Sequence, residues 1–434
     1  MLDETPTSAD ARASLRTALP SFMAARAGLF RDYATAISGS AGRLVFSLLY
    51  FVVLANTLSI AEFGLFATAS AAGVMLSRIL AFGFISALYR IATVRPVLIG
   101  TFTAGFLVMA AISLPLLGGA AWLTFATFFS GEMALAVFLT VIAAESLLWR
   151  PVEVVVIVNN GMGNFGRAAI LVILGTMLRA CAAVAFAFWP TQDLAVWTLF
   201  YLTANAVSLA LALAFFFPRQ RLRLKPRLYL SRLPDSLYVA GAEMLFYLQM
   251  EMDKLLVLAL GGPHLAGIYA IIMRLVDLTA IPIRTFTMML VQNLMRTPDL
   301  LSRLSTRTGI EAAIFAVSTL ALATLAVVLH FFPGLLGRNI SEAAPLIALA
   351  LCIPGLRNLV EYQAELLFAR GQTLLRAINL ALLAGLKAVL LSMILARTLD
   401  VEQLVLALNG AFAALYLASA LLTYSAMRMP AKPV

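Results

Sequence analysis

The 434-residue sequence contains few of the residues on which soluble enzymes depend: two cysteines, two histidines and 12% charged side chains. Cys181 and Cys352 lie inside long apolar stretches without metal-ligand spacing, which argues against a disulfide framework or a zinc site. His264 and His330 are far apart and form no catalytic or metal-binding pattern. The sequence thus predicts no catalytic residue, no metal and no cofactor, and the protein is not expected to be an enzyme.

What is present instead is apolar. Hydrophobic residues make up 62% of the chain, whose mean hydropathy is +0.97; soluble proteins have roughly 45–50% apolar and about 25% charged residues. Stretches near the roughly 20 residues that cross a bilayer recur, without the alternation of β-barrel strands. We therefore predict an all-α integral membrane protein with twelve transmembrane helices. The predicted spans are 36–57, 63–88, 96–118, 133–159, 166–189, 194–217, 236–260, 265–292, 308–331, 343–369, 372–396 and 403–426.

Basic residues are scarce on one predicted side of the membrane and abundant on the other. Twenty of the thirty-one Lys and Arg residues fall on the side that holds both termini, and only Arg338 and Arg397 fall on the opposite side. This asymmetry is the positive-inside pattern, so both termini should be cytoplasmic. It also explains the net charge of +10 by contact with anionic membrane lipid, and no nucleic-acid partner is expected.

The chain divides into two groups of six spans. LVLALGGPHLAGIYAIIM aligns with VVLANTLSIAEFGLFATAS at a shift of 203 positions, which places Gly267 on Gly64, and two further segment pairs align at similar offsets. A duplicated six-span unit gives two lobes of equal orientation with a cavity between them. The predicted organisation is a cytoplasmic leader at 1–35 without a cleaved signal peptide, a first lobe at 36–217, a basic cytoplasmic linker at 218–235, a second lobe at 236–426 and a cytoplasmic tail at 427–434.

Twenty charged residues fall inside the predicted spans, eleven basic and nine acidic, and three of them, Arg167, Glu311 and Arg376, lie within four residues of an inner span end. Each charge at the centre of a bilayer costs roughly 2.5–3.5 kcal/mol on the insertion scale, so these groups should face one another or water. Helical spacing predicts local ion pairs, which are Arg274 with Asp277, Arg150 with Glu153 and Arg357 with Glu361. Such pairs could line a polar passage through the membrane, or they could only fix the packing of neighbouring helices. Spacing alone is compatible with both roles.

The buried arginines are the candidate substrate-binding residues, because a planar guanidinium binds phosphate through two parallel hydrogen bonds. Four lie nearest to mid-membrane: Arg78, Arg150, Arg274 and Arg357. Arg43 and Arg284 lie nearer the inner ends of their spans, where snorkelling to the surface is an alternative role. Three buried carboxylates are candidates for coupling transport to protons or Na⁺: Glu243, Asp253 and Asp277.

Two segments resemble a known family. Leu58-Ser59 followed by Glu62-Phe63-Gly64, and MEMDKLLVLALGGPHLAGIYAIIMRL across spans seven and eight, resemble the polysaccharide transporters of the multidrug/oligosaccharidyl-lipid/polysaccharide (MOP) exporter superfamily, which include the Wzx-type flippases. The resemblance covers nearly the whole chain in span number, length and duplication. Asp253 and the run from Gly267 to Tyr269 fall on its motif positions.

This resemblance implies a flippase of the bacterial inner membrane. It would move undecaprenyl-diphosphate-linked oligosaccharide units to the outer leaflet by alternating access, for surface polysaccharide biosynthesis, through a cationic central cavity. A polysaccharide polymerase and a chain-length regulator are the implied protein partners.

Two alternatives stay open. A multidrug or cation antiporter of the same superfamily would share the twelve spans, although nine buried basic residues would repel a cationic cargo. A polysaccharide polymerase or ligase would need a long outer loop with paired Arg or His residues, and the sequence offers only short ones.

Overall fold

The computed structural model describes residues 42–296, 304–397 and 400–428. The predicted leader 1–35, the start of the first predicted span and the end of the predicted tail lie outside these residues. The described chain is helical. Its helices are α1 Gly42–Thr57, α2 Ile60–Leu76, α3 Ile85–Val94, α4 Ile99–Phe128, α5 Leu135–Ala143, α6 Arg150–Gly161, α7 Phe165–Ala187, α8 Leu194–Leu211, α9 Pro226–Arg296, α10 Leu304–Phe331, α11 Arg338–Leu349, α12 Ile353–Ala369, α13 Thr373–Arg397 and α14 Val401–Ala426.

The twelve predicted spans map onto these helices in order. Among the described residues, eight helical segments are long and apolar enough to cross a membrane, and α11 with α12, bent by 72°, forms a ninth. α9 is one of the eight and covers two predicted spans. The span at 133–159 is α5 and α6 joined through a π-helical turn, Ala144–Trp149. The all-α membrane fold with two lobes of six spans is therefore confirmed.

The two spans inside α9 are arms of a hairpin that folds back at Gly262, whose φ of 77° lies in the left-handed region that glycine adopts without strain. The Tyr269 hydroxyl donates to Asp253 Oδ2 over 2.6 Å. Residues sixteen positions apart would be separated by about 24 Å on one straight helix. Only a reversal of the chain brings these two side chains together.

The outer end of α2 is held by a capping box. Ser59 Oγ accepts from the Glu62 N–H, and Glu62 Oε2 accepts from the Ser59 N–H at 3.1 Å. Glu62 Oε1 also accepts from the Leu194 N–H at the start of α8. Ser59 and Glu62, which belong to the first of the two segments that resemble the MOP polysaccharide transporters, therefore stabilise the start of a helix. Their spacing of three residues is that of a capping box.

The lobes meet at a glycine seam formed by Gly64 of α2 and Gly267 of α9. A Cβ on Gly64 would overlap the backbone of Gly267 and the carbonyl oxygen of Pro263, and a Cβ on Gly267 would overlap the carbonyl oxygen of Ile60. Ile60 and Pro263 are themselves 203 positions apart, as are the glycines. Gly64 contacts Pro263, and the repeat equivalents of these two residues, Gly267 and Ile60, contact each other. Such a reciprocal contact is the pattern that a two-fold axis between the lobes produces.

A second contact closes the same end of the lobe interface. Asn56 Nδ2, at the end of α1, donates to the Leu336 carbonyl oxygen over 2.7 Å, and Asn56 Oδ1 accepts from the Asn339 N–H. Asn339 Nδ2 returns hydrogen bonds to the Ala55 and Leu58 carbonyl oxygens, each at 2.8 Å. With the glycine seam, these bonds close the side of the protein opposite the basic linker, called here the outer side.

The linker packs on the other, inner side. Tyr229 is fully buried, and its hydroxyl donates to the Thr101 carbonyl oxygen of α4 and accepts from the Lys225 N–H. Gln220 accepts from the Gly100 N–H and donates to the Pro96 carbonyl oxygen. The linker is therefore bound to the first lobe, while its arginines stay exposed.

Candidate functional site: an arginine and glutamate cluster between the lobes

A cavity of about 400 Å³ lies on the inner side of the glycine seam, where Arg78 of the first lobe meets α9, α12 and α13 of the second. Its lining combines charge with aromatic and small apolar side chains. The lining residues are Arg78, Tyr238, Val239, Ala242, Glu243, Phe246, Tyr247, Phe368, Thr373, Arg376, Ala377 and Leu380. Tyr238 and Thr373, near the inner ends of α9 and α13, are joined by a 3.3 Å hydrogen bond.

A break in the second span places Arg78 in this cavity. Between α2 and α3 the chain forms a 3-10 turn, Ser77–Gly83, in which Ala81 and Phe82 have φ values of 57° and 49°. Residues other than glycine reach this region only at a cost, usually of order 1–3 kcal/mol, and such strain tends to occur at functional sites. The Ala81 N–H, freed by the break, donates to the fully buried Ser113 hydroxyl at 2.9 Å.

Arg78 joins the two lobes. Its Nη1 lies 3.1 Å from Glu153 Oε2 of the first lobe and 3.9 Å from Glu243 Oε2 of the second. Its guanidinium carbon lies 4.0 Å from the centre of the ring of Tyr247, and Tyr247 belongs to the same helix as Glu243. The arginine is 5% exposed, so these partners replace most of its contact with water.

Arg150 completes the inter-lobe cluster, which consists of Arg78, Arg150, Glu153 and Glu243. It follows the π-helical turn directly, and π-turns inside helices occur frequently at functional sites. Arg150 Nη1 lies 2.7 Å from Glu153 Oε2, which confirms the local pair expected from spacing, and Nη2 lies 2.8 Å from Glu243 Oε2. Glu243 therefore binds both arginines of the opposite lobe.

Sequence reasoning assigned Arg376 only to the basic inner side, but it lies in the opposite wall of the cavity. Its Nη2 is 2.6 Å from Glu365, and its guanidinium carbon lies 5.2 Å from the Phe368 ring centre and 6.0 Å from that of Phe246. Arg376 lies one turn from the inner end of α13. In the sequence it therefore resembles the basic residues that set the orientation of a membrane protein from the ends of its spans. Only the packing of α13 against α9 reveals it as a lining residue.

The guanidinium groups of this site share one unusual property. Arg78, Arg150 and Arg376 each have a buried Nε that finds no hydrogen-bond acceptor among the described residues. Buried donors without a partner are rare in folded proteins and cost about 1–3 kcal/mol each. Arg78 and Arg376 line the cavity and Arg150 is paired with the lining residue Glu243, so unpaired donors lie at and beside the cavity.

Charge is nevertheless balanced within the site. Each of the three arginines is paired with a carboxylate, and the carboxylates are Glu153, Glu243 and Glu365. Glu243 is the most exposed of the three, with 40% of its side chain accessible, against 29% for Glu153 and 35% for Glu365. An anionic cargo must therefore compete with these carboxylates for the arginines.

Asp253 lies in a separate cluster inside the second lobe. It is 1% exposed, and its Oδ2 is 2.9 Å from Lys387 Nζ of α13. Lys387 also donates to the Gln249 carbonyl oxygen at 2.9 Å, and the neighbouring Lys254 pairs with Glu251. A lysine of the protein thus occupies the position beside Asp253 that a free cation would take.

Asp277 and Arg357 lie next to this cluster. Arg357 Nη2 is 3.3 Å from Asp277 Oδ1, and its Nε is 3.9 Å from Glu361, the partner expected from spacing. Arg274, expected to pair with Asp277, donates across the lobe interface to the Ser47 hydroxyl over 2.7 Å. Helical spacing thus identified two of the three local pairs, and tertiary contacts decided the third.

The two remaining candidate arginines contribute less to the site. Arg43, at the inner start of α1, is exposed. The side chain of Arg284 lies outside the described residues. The structure therefore brings Arg78, which lines the cavity, together with Arg150 through Glu153 and Glu243, and it places Arg274 at the lobe interface and Arg357 inside the second lobe.

The first lobe contains a buried carboxylate to which sequence reasoning gave no role. Glu145, 3% exposed, accepts from the Ser70 hydroxyl at 2.6 Å and from the Tyr201 hydroxyl at 2.5 Å. Arg179 lies 3.8 Å away and stacks on Trp149, 4.0 Å from the ring centre. These bonds tie α2, the π-helical turn, α7 and α8 together inside the lobe.

Comparison with known proteins identifies the fold. No protein-family model and no curated protein match the sequence. Solved structures do match: an inward-facing multidrug resistance MATE family transporter of the MOP superfamily superimposes with a TM-score of 0.64 at 15% identity, covering 89% of this chain and 94% of that one. The MATE multidrug transporter DinF-BH, solved as a complex with a small molecule, gives 0.60 at 15% identity over 91% and 94%. A mutant of the Vibrio cholerae MATE transporter VcmN gives 0.53 at 14% identity over 91% and 98%.

The chain therefore has the fold of MATE transporters, a multi-pass membrane architecture of two six-helix lobes. At 14–15% identity these matches show shared architecture alone.

Proposed function

We propose that the protein is a flippase for undecaprenyl-diphosphate-linked oligosaccharides, used in the synthesis of a surface polysaccharide. The observation that supports this cargo is a set of three arginines, each with an unfilled buried Nε: Arg78 and Arg376 line the cavity, and Arg150 is paired with the lining residue Glu243. Diphosphate supplies many acceptor oxygens and negative charge, which arginine binds with geometric specificity.

The cavity also suits the rest of such a cargo. Tyr238, Phe246, Tyr247 and Phe368 line it, and aromatic faces pack against the apolar faces of sugar rings. A cavity of about 400 Å³ holds a head group rather than a long polyprenyl chain. The tail accordingly remains in lipid while the head group crosses between the lobes.

Alternating access provides the movement. The head group enters from the inner side and binds Arg78 and Arg150, with Arg274 and Arg357 available as the lobes move. The glycine seam and the Asn56–Asn339 contact then separate while the inner side closes. In this proposal the protein lies in a bacterial inner membrane with both termini cytoplasmic, beside a polysaccharide polymerase and a chain-length regulator.

Directional transport requires an energy source, and we propose coupling to protons or Na⁺ through Glu243, Asp253 or Asp277. Glu243 is the most accessible of these, whereas Asp253 is paired with Lys387 and Asp277 with Arg357. A free cation reaches Asp253 or Asp277 only when those internal bases move away.

Deleting the gene in the native bacterium tests this function. The deletion should abolish the surface polysaccharide and retain lipid-linked oligosaccharide on the inner leaflet. Complementation with Arg150→Ala should restore less than about a tenth of export, and Arg150→Lys should restore part of it, because lysine keeps the charge but loses bidentate contact. Arg338→Ala, at an exposed outer arginine, is the matched control and should complement fully. Full export by Arg150→Ala at normal abundance would contradict the proposal.

A second candidate is multidrug or cation antiport. The matching structures include MATE multidrug transporters, and in the present cavity Glu243 and four aromatic side chains suit an aromatic cation. This reading predicts that the deletion strain keeps its polysaccharide and becomes sensitive to cationic dyes, and that Glu243→Gln abolishes dye resistance.

A further inference from the structure

Glu243 has an unusual position in the inter-lobe cluster. It lies on α9 of the second lobe, yet its Oε2 contacts two arginines of the first lobe, Arg150 at 2.8 Å and Arg78 at 3.9 Å. Glu153, the other carboxylate, belongs to the same helix as Arg150, three residues away, and moves with it. Glu243 is therefore the member of the cluster whose bonds must break when the lobes separate.

This carboxylate fills the arginine site incompletely. A guanidinium carries five N–H donors, and a carboxylate with its two oxygens cannot satisfy two such groups. Arg78 and Arg150 are 5% and 3% exposed, and the Nε of each has no acceptor among the described residues. A phosphate group has more oxygens and more charge, so it satisfies donors that Glu243 leaves unfilled.

Accessibility decides which partner can be exchanged. The side chain of Glu243 is 40% exposed and lines the cavity together with Arg78, which is 5% exposed, whereas Arg150 is 3% exposed and is not part of the lining. An arriving anion therefore meets mainly the surface of Glu243 and competes with it for both arginines.

We propose that Glu243 is an internal stand-in for the cargo's phosphate. In the empty protein it neutralises Arg78 and Arg150 and joins the lobes on the inner side. Cargo phosphate displaces it, satisfies the arginines and releases α9 from the first lobe, which permits the lobes to move. A molecule without phosphate leaves the ionic link intact. This inference rests on the proposed function, because it assumes a phosphate-bearing cargo.

The first test measures binding of two soluble probes, farnesyl diphosphate and inorganic pyrophosphate, to the purified full-length protein in detergent at low salt. Glu243→Gln keeps the shape of the side chain and removes the competing charge. It should bind both probes at least about tenfold more tightly than the wild type, the equivalent of about 1.4 kcal/mol at 25 °C. Glu251→Gln is the matched control, on the same helix and paired with Lys254 away from the cavity lining, and should bind like the wild type.

The second test measures the distance between the lobes by spin labels. With Cys181 and Cys352 replaced by alanine, labels are placed at the exposed positions of Tyr89 in α3 and Leu374 in α13, one in each lobe. Wild-type protein with farnesyl diphosphate and Glu243→Gln without it should both show a broader distance distribution than empty wild type. Glu251→Gln should keep the wild-type distribution.

The outcomes separate this inference from the proposed function. If the wild type binds the probes and Arg150→Ala does not, but Glu243→Gln binds no more tightly than the wild type, the stand-in role is wrong and the flippase function survives. If Arg78→Ala and Arg150→Ala bind the probes as well as the wild type, the phosphate site and the proposed function both fail. If the wild type binds the cationic dye ethidium, Glu243→Gln loses that binding and no variant binds diphosphate, Glu243 recognises a cationic cargo and both proposals fall.

Discussion

The Asp253–Lys387 pair allows the sharpest quantitative prediction. The two side chains are 1% and 5% exposed, and Lys387 Nζ lies 2.9 Å from Asp253 Oδ2. At an effective dielectric constant near 20, the Coulomb attraction at that distance is about 6 kcal/mol. Desolvation of both groups offsets most of this gain, so the pair as a whole stabilises little, whereas either charge left alone is costly.

The perturbation is a double-mutant cycle of Asp253→Asn and Lys387→Met. Each single variant leaves an unpaired charge or polar group in the interior of the second lobe and should lower the free energy of unfolding by about 3–5 kcal/mol. The double variant removes both charges, and the asparagine introduced in place of Asp253 can still accept from the Tyr269 hydroxyl. It should fall within about 1.5 kcal/mol of the wild type, because no uncompensated charge remains.

Equilibrium unfolding in mixed detergent and SDS micelles, followed by circular dichroism, measures these changes. Lys254→Met is the control, because Lys254 and its partner Glu251 are more exposed, at 16% and 18%; its effect should be less than half that of Lys387→Met. A double variant as unstable as the sum of the single variants would refute the reasoning, since it would show that the two side chains act independently.

The same double variant tests ion coupling. If Asp253 couples transport to a cation, the stable double variant should lose transport driven by an ion gradient while it still binds farnesyl diphosphate. Retained driven transport would leave Glu243 and Asp277 as the carboxylates to examine.

Three further predictions concern the lobe interface and the cavity. Gly267→Ala should prevent closure of the outer side, because the new Cβ would overlap the Ile60 backbone, and the labelling of cysteine by a reagent added from the outer side should rise. The control Gly385→Ala, at a helical position with open space around it, should leave that labelling unchanged. Ser113→Ala should leave the Ala81 N–H without its partner and lower the free energy of unfolding by about 1–3 kcal/mol, measured as above. Arg376→Ala should weaken binding of farnesyl diphosphate by about tenfold without altering the position of the α2 break, measured by titration and by spin labels across the break.

Much of the architecture was predictable because it follows from solvent and periodicity. A bilayer requires about twenty apolar residues per helix, so composition and run length predicted the all-α class and the spans. The internal repeat at a shift of 203 positions predicted two lobes, and the contact of Gly64 with Gly267 shows where their axis runs. Local spacing was sufficient for pairs within one helix, such as Arg150 with Glu153.

Tertiary structure decided the rest, because the remaining partners are far apart in sequence. Glu243 reaches Arg150 across 93 positions, and Lys387 reaches Asp253 only through the packing of α13 on α9. Arg376 has the sequence position of a topology residue, and only helix packing places it in the cavity wall. The sequence by itself indicated that most charges inside the spans had to be buried, since lipid tolerates few of them. Only the arrangement of helices decided which of them are buried and which opposite charge each one meets, because helix periodicity carries no information about contacts between helices.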